Sequence, residues 1–223
     1  MKKIIYQKKP KISDIKDKTI GIHGIKGSFT DEALDKLAKD LGLRPDDYQV
    51  VELVHARKVL EAVVRGKVDC GIFAFANSGS GGYIASLGAM GDYCFKVSAL
   101  FRMPLRMCLL SHPTIGNIKK ITEFRGHPVA IAQSLKTLKN KWPKILVRPG
   151  TDKLDTALSA QYLKEGKFSK TTAVFASERA AQIYNLNILK KDVHHDPNNA
   201  TFFVLIKKRR KIRIYIDSGS SPE

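Results

Sequence analysis

Cysteine is scarce: Cys70, Cys94 and Cys108 are the only three, and no two of them form a C-x-x-C pair. That excludes a disulfide-stapled scaffold and a cysteine zinc site, and it fits a reducing compartment. No apolar run approaches the roughly 18 residues of a membrane span. Residues 1–10 are too polar for the 7–15-residue apolar stretch, on the order of length, of a secretory signal. The expectation is a cytoplasmic, untargeted protein with no membrane partner. Acidic residues are also short, with 21 Asp plus Glu against 39 Lys plus Arg, a net charge of +18. Half of that excess lies in residues 1–18 and 207–223, which carry +5 and +4. Such basic ends suit solubility and the attraction of an anionic small molecule. Nucleic acid is not an expected partner, because no helix-turn-helix, zinc-finger or aromatic RNA-binding signature accompanies the charge. What is plentiful is core material: hydrophobic residues are 43% of 223, enough for one large domain or two lobes of about 100 residues each.

Strand-like and helix-like patterns alternate. Residues 18–24 read as a strand running into a glycine turn. Thr30 or Asp31 can cap a helix to about Gly42, with Ala33, Leu34, Leu37, Ala38 and Leu41 on one face. A strand at 48–54, a helix at 56–65 striped by Val59, Leu60 and Val63, and a strongly apolar strand at 68–75 follow. The pattern then restarts. Residues 97–110 are largely apolar and interrupted by Pro104. Strands are expected at 128–132, 145–147, 172–175 and 201–206, helices at 134–139, 151–163 and 178–184, and an edge strand at 211–216. Strand–helix–strand spacing of this kind predicts an α/β fold with mainly parallel sheets.

In such sheets ligands bind beyond the carboxyl ends of the strands. Three segments rich in glycine, hydroxyl and amide groups fall there: Gly24-Ile25-Lys26-Gly27-Ser28-Phe29-Thr30, Asn77-Ser78-Gly79 and Gly150-Thr151. Glycines let backbone N–H groups approach a guest, and a following helix N-terminus favours an anion such as a carboxylate. Ordinary turns and caps would look the same. The first segment lacks the G-x-x-x-x-G-K-[ST] pattern of a phosphate loop. His194 and His195 beside Asp196 suggest a metal cluster, but adjacent histidines point apart, so no metal is expected. His112 and His127 each precede a proline and read as turn residues; Cys70 reads as an inert core thiol. No nucleophile–base arrangement and no pair of carboxylates stands out.

Taken in order, these segments resemble the catalytic domain of prephenate dehydratase. The family's G-P-E-G-S-F-T turn is similar to Gly24–Thr30, and its D-x-G-V-V-P-I-E-N-S strand and loop to Asp69-Cys70-Gly71-Ile72-Phe73-Ala74-Phe75-Ala76-Asn77-Ser78. Its H-P-Q-A-L-A-Q-C segment resembles His127-Pro128-Val129-Ala130-Ile131-Ala132-Gln133-Ser134, and its S-T-x-x-A helix start Asp155-Thr156-Ala157-Leu158-Ser159-Ala160. Its A-A-I-A-S-x-x-A-A run resembles residues 173–181, and its N-x-T-R-F ending Asn199-Ala200-Thr201-Phe202-Phe203. The resemblance covers residues 18–207. It implies a two-lobed α/β fold similar to periplasmic binding proteins, with an interlobe cleft. The first lobe would span 18–95 plus 190–207 and the second 96–189, with 1–17 and 208–223 as basic terminal segments. The final strand would return to the first lobe.

The resemblance further implies conversion of prephenate, a small dianion, to phenylpyruvate, carbon dioxide and water, with no cofactor and no metal, in a homodimer. Thr201 takes the catalytic role, and Ser28, Phe29, Thr30, Asn77, Ser78 and Thr156 bind substrate, with Asn77 and Ser78 lining the cleft. Several family residues are replaced. The glutamate before Asn77 is Ala76, the arginine after Thr201 is Phe202, the serine before Thr156 is Asp155, and the proline and glutamate of the first turn are Ile25 and Lys26. Lys26, Arg102, Arg106 and Arg148 are the candidates for a replacement cation. Decarboxylation without loss of the hydroxyl, and ligand binding without catalysis, remain the alternative functions. With only 16 residues after Lys207, a regulatory domain of the kind that often follows this catalytic domain is not expected within this sequence.

Overall fold

The structure is a computed structural model and describes residues 4–151, 154–194, 196 and 198–209. The first half runs β1 (Ile5–Lys8), β2 (Thr19–Ile22), α1 (Phe29–Asp40), β3 (Gln49–Glu52), α2 (Ala56–Val64), β4 (Cys70–Asn77), β5 (Gly81–Gly82), α3 (Ile84–Asp92) and β6 (Phe95–Pro104). The second runs β7 (Cys108–Ser111), β8 (Glu123–Gly126), α4 (Pro128–Lys141), β9 (Leu146–Pro149), α5 (Thr156–Lys164), β10 (Thr172–Ala176), α6 (Glu178–Ile183), β11 (Asn187–Lys190) and β12 (Ala200–Lys208). Two sheets result. One has the order β1-β6-β12-β4-β2-β3 with β5 beside β4, and the other has the order β11-β7-β10-β8-β9.

Both sheets are mixed, not mainly parallel. β2 is parallel to β3 and β4, and β8 is parallel to β9 and β10. β12 is antiparallel to β4 and β6, β6 to β1, β4 to β5, and β7 to β10 and β11. Parallel neighbours need a crossover element between them. Here the chain leaves the first sheet along β6, reaches β7 through residues 105–107, and returns along β12, so these strands enter without a crossover. β6 therefore belongs to the first sheet, although it was expected to open the second lobe. β1, expected in a terminal basic segment, forms the edge of that same sheet, and β11 belongs to the second sheet.

Over most of their length β4 and β12 alternate between two apolar layers. On β4, Cys70, Ile72 and Ala74 pack toward Leu34 and Leu37 of α1, and Phe73 packs toward Val59, Leu60 and Val63 of α2. On β12, Phe203 and Leu205 share the α1 side, and Val204 and Ile206 share the α2 side. This period of two fixes which side each residue near the start of β12 faces. The second lobe repeats the arrangement, with Phe124, Phe175 and Leu109 on one side and Val174, Leu110 and Cys108 on the other.

One secondary-structure expectation is overturned. Residues 128–132, expected as a strand, are the first turns of α4. Val129 and Ile131 resemble a strand in composition, but Pro128 stands at the first helical position and His127 caps the helix. Burial of Ala130, Ile131, Ser134 and Leu138 follows helical spacing. The α3 segment, with Gly88 and Gly91, and the short strands β8 and β11 carry no strong periodic signal and were not anticipated. The expected strand at 211–216 lies outside the described residues.

The lobes meet along a seam made by the turn before α1 and the start of α6. Ser177 Oγ donates to the carbonyl of Gly27 at 2.7 Å, and Tyr184 Oη donates to the carbonyl of Lys26 at 3.1 Å. Arg179 Nε lies 2.6 Å from Asp31 Oδ2, and its Nη1 lies 3.3 Å from Asp35 Oδ1. A Cβ at Gly27 would come within 3.1 Å of Ala180 Cα, so the two backbones approach as closely as glycine allows. The Asp31 side chain is only 5% exposed, and removing its cation would strand a buried carboxylate. Arg179→Gln should therefore lower unfolding stability in urea by about 2 kcal/mol at neutral pH, given the partial exposure of the arginine. An unchanged midpoint would mean that the seam is held without the ion pair.

Candidate functional site

A cavity of about 320 Å³ opens between the lobes, beyond the carboxyl ends of β2, β3, β4 and β8. Its walls are apolar in large part, with Phe29, Ala74, Leu105, Met107 and Phe203. Its polar character comes from helix starts. Ser28, Phe29 and Thr30 begin α1; Val54 and His55 lead into α2; Tyr83, Ala85 and Ser86 begin α3; His127, Val129 and Ala130 begin α4; Asp155 and Thr156 begin α5. Five helix N-termini thus converge on one space. Each carries unpaired N–H groups and roughly half a positive charge. Three are capped by side chains: Ser28 Oγ accepts from Asp31 N–H at 3.2 Å, His127 Nδ1 from Val129 N–H at 3.2 Å, and Asp155 Oδ1 from Leu158 N–H at 2.6 Å. His55 and Tyr83, which precede α2 and α3, make no side-chain cap.

Among the described residues that line the cavity there is no lysine or arginine. The titratable groups are His23, His55, His127, Asp155 and Tyr83. Burial drives His23 down to about 4, with His55 adding to the effect, so its ring is neutral at ordinary pH. Its Nδ1 is buried and has no hydrogen-bond partner among the described residues. Burial pushes the Asp155 carboxyl up, opposed by the N–H groups of Leu158 and Ala157 and by His127. Burial likewise raises the Tyr83 hydroxyl, against hydrogen bonds with Thr201 and Ser80.

Of the residues expected at the site, Ser28, Phe29, Thr30, Thr156 and Thr201 line the cavity. Asn77 and Ser78 do not. They lie beside Thr201 and hold the start of β12 in place. Asn77 Nδ2 donates to Asn199 Oδ1 at 2.7 Å, to the carbonyl of Ala200 at 3.1 Å and to Thr201 Oγ1 at 3.0 Å. Ser78 Oγ accepts from Ala200 N–H at 2.9 Å. Asn77 reaches these groups because β4 pairs with β12 in register, which sets its side chain beside that of Thr201 on one face of the sheet. With its oxygen already accepting from Asn77, the Thr201 hydroxyl is left to donate, toward Tyr83 or into the cavity. Gln133, which the sequence reading did not single out, completes the network from α4. It donates to Asn77 Oδ1 at 3.3 Å and accepts from Asn199 Nδ2 at 3.2 Å.

The replaced positions sort by side of the sheet. Phe202 faces away from the cavity and packs against Phe75, ring centres 6.2 Å apart. Ala76 pairs with Phe202 and Gly82 and does not line the cavity. None of the candidate replacement cations reaches it: Arg106 pairs with Asp192 at 2.8 Å, Arg148 with Glu123 at 3.3 Å, and Lys26 and Arg102 are exposed elsewhere. Asp155, by contrast, stands in the wall. His127, read as a turn residue, also caps α4 and lines the cavity. His194 Nε2 lies 3.0 Å from the carbonyl of Leu105, and His195 falls outside the described residues. No group of three potential metal ligands occurs among the described residues. Cys70 is buried in β4, and burial pushes its thiol up to about 11, as expected of an inert core residue.

The family model described as prephenate dehydratase matches residues 20–211. The chain belongs to the prephenate dehydratase family. A curated relative named arogenate dehydratase/prephenate dehydratase 2, from Arabidopsis thaliana, is 28% identical over 189 residues, covering 85% of this chain and 46% of its own length. A prephenate dehydratase from Lactococcus lactis is 31% identical over 154 residues, covering 69% of this chain and 53% of its own. The chain thus spans about half the length of these relatives. The solved prephenate dehydratase from Arthrobacter aurescens shares the fold, with a TM-score of 0.74 at 24% identity over 87% of this chain and 61% of that one.

The His23 environment sets a pH dependence. Its folded value of about 4 lies below the ordinary 6.5, so between those values the unfolded chain binds more protons and stability falls as pH drops. Above that window the group contributes nothing to the slope. His23→Asn should flatten the stability–pH curve between pH 4 and 6.5, by at most about 1.4 kcal/mol per pH unit. Urea unfolding across that window checks it, and an unchanged slope would show that His23 is not titrating there.

Proposed function

We propose that this chain is a dehydratase acting on prephenate, giving phenylpyruvate, carbon dioxide and water. Arogenate, named in the relatives' activities, undergoes the same ring chemistry with an ammonium in place of the side-chain keto group. The observation that carries the reading is the convergence of five helix N-termini on a mostly apolar cavity with Thr201 in its wall.

The reaction sets three demands. Two carboxylates must be held without flooding the site with water. The ring C–CO2 bond must break so that its electron pair enters the ring while the ring C–O bond breaks. The leaving oxygen must gain a proton to depart as water. Helix N-termini hold carboxylates through backbone N–H groups and their dipoles. The uncapped starts of α2 and α3 keep such donors available. The apolar walls strengthen every remaining electrostatic contact. The Thr201 hydroxyl, accepting from Asn77, is poised to donate to the leaving oxygen. That contact grows in the transition state as negative charge builds there, which is what makes it catalytic and not merely binding. Aromatisation supplies the driving force, and no redox or metal step is part of this scheme.

Incubation of the purified protein with prephenate, followed by phenylpyruvate absorbance in base, tests the activity. Thr201→Val keeps the shape of the side chain and removes the donor. It should lower turnover by roughly 10²–10⁴ while changing product binding much less. Wild-type protein that binds prephenate and releases no phenylpyruvate would sink the proposal. Decarboxylation that retains the hydroxyl, or binding alone, would then account for the cavity.

A further inference from the structure

Dehydration of a dicarboxylate in this way takes up a proton at every turnover. A dianion becomes one carboxylate, carbon dioxide and water, so one proton must reach the leaving oxygen from solvent. In the scheme above Thr201 gives that proton, yet Thr201 is only 2% exposed, and an aliphatic hydroxyl is a poor acid in its own right. We infer that Tyr83 stands behind Thr201 as the acid, passing it a proton as Thr201 protonates the leaving oxygen, and that the exposed Ser80 hydroxyl restores the tyrosine from solvent. The inference deepens the dehydratase reading and rests on it.

Two strand pairings place Tyr83 for this role. β12 lies along one edge of β4 and β5 along the other, with Thr201 opposite Asn77 and Asn77 opposite Gly81. The chain turns in after Gly82, and the N–H of Tyr83 donates to the carbonyl of Phe75 at 2.8 Å, which fixes the residue just before α3. Its ring packs on the apolar cluster that contains Ala74 and Phe203. Tyr83, Ala74, Phe203 and Thr201 all line the cavity, so the ring lies on the same side of the sheet as the Thr201 hydroxyl. The phenol is hydrogen-bonded to the hydroxyls of Thr201 and Ser80. Ser80 belongs to the exposed turn between β4 and β5, so this chain of hydroxyls runs from the cavity to the surface.

The hydrogen-bonding capacity of Thr201 points the same way. A hydroxyl has two acceptor sites and one proton. Asn77 Nδ2 occupies one acceptor site at 3.0 Å. When Tyr83 donates to the other, the Thr201 proton is directed into the cavity. Among the described residues these are the two side chains that meet the Thr201 hydroxyl, and an amide does not give up its proton, so the phenol is the acid in contact. Burial raises the tyrosine above its ordinary value, which keeps it protonated at neutral pH, while the two hydroxyls favour the phenolate left after transfer. In the step itself the C–CO2 pair enters the ring and the C–O pair leaves with the oxygen. That oxygen takes the Thr201 proton, Thr201 takes the Tyr83 proton, and the phenolate is reprotonated through Ser80 from water. One proton is consumed and no electrons are exchanged. Tyr83 acts through Thr201 and needs no contact of its own with the substrate.

The experiment follows single-turnover formation of phenylpyruvate from prephenate in mixtures of H2O and D2O, for wild type, Tyr83→Phe, Thr201→Val and the double variant. Phenylalanine keeps the ring and its packing, so the fold should survive. Tyr83→Phe should lower the rate by at least about tenfold while changing product binding much less. Two protons move together in wild type, so its rate should sag below a straight line when plotted against the deuterium fraction. With one proton left in flight, Tyr83→Phe should give a straight line. The double variant should be no slower than Thr201→Val, because both changes break the same relay; a tyrosine that only shapes the wall would add its own loss. A straight wild-type plot, an unchanged rate in Tyr83→Phe or additive losses in the double variant overturns the inference. The wild-type plot decides even where a variant does not fold. Wild type that forms no phenylpyruvate fails the dehydratase reading and removes the relay with it, whereas an active wild type with any of those three results sinks the relay alone.

Discussion

Helix polarity is the constraint on which the rest of this molecule depends. α1 and α2 follow β2 and β3, and α4 and α5 follow β8 and β9, so each begins where a parallel strand ends. α3 starts just past β4 and β5, in the same region. Because the two lobes face each other across those ends, five positive helix ends meet at one cavity. Together they supply about two and a half elementary charges of the sign a dicarboxylate needs. That is why the described part of the wall can do without lysine and arginine in a chain of net charge +18. Fixed backbone dipoles need no reorganisation when charge moves within the guest, whereas long basic side chains would have to be ordered first.

The Asn77 network gives this field a direction. A threonine hydroxyl on a strand can donate or accept, and its role is set by what it already binds. Asn77 donates to the Thr201 oxygen and so turns the one hydroxyl proton away from itself, and Gln133, reaching from α4, fixes the Asn77 amide. The result is one donor aimed from the first lobe and held in part by the second. Removing a buried member of such a network costs the desolvation of the groups left behind, about 1–3 kcal/mol each.

Much of this was legible from residue order. The turn Gly24–Thr30 leading into α1, the cap-bearing start of α5 and the strand carrying Thr201 stand out through glycine, hydroxyl and β-branched residues at set places. What the chain alone did not reveal is which way a residue faces. Asn77 and Thr201 sit opposite each other in register and share one face of the sheet, and Asn77 is covered there by Asn199, Thr201 and Gln133, so it supports the cavity wall instead of lining it. Phe202 is one residue from Thr201 and points to the opposite side of the sheet, where an arginine would meet Phe75 and not the guest. Parity of this kind depends on which strands pair, and pairing of distant strands has no local signature. The same holds for the antiparallel strands: β6 and β12 read as ordinary apolar runs, and only their partners show that they carry the chain between lobes. α4 misled for a different reason, since Val129 and Ile131 mimic a strand until the capping by His127 is seen.

The seam between the lobes has a consequence for how this fold can be rearranged. The turn that seats Ser28, Phe29 and Thr30 in the cavity wall is the same turn whose Gly27 backbone rests on Ser177 and Ala180. Wall and seam are therefore one piece of chain. The lobes are not interchangeable modules: a chimera that borrowed its second lobe from another protein would have to import residues 24–31 and 177–184 as a matched set. A recombination boundary drawn at the sheets alone would leave the cavity resting on a surface that does not fit it.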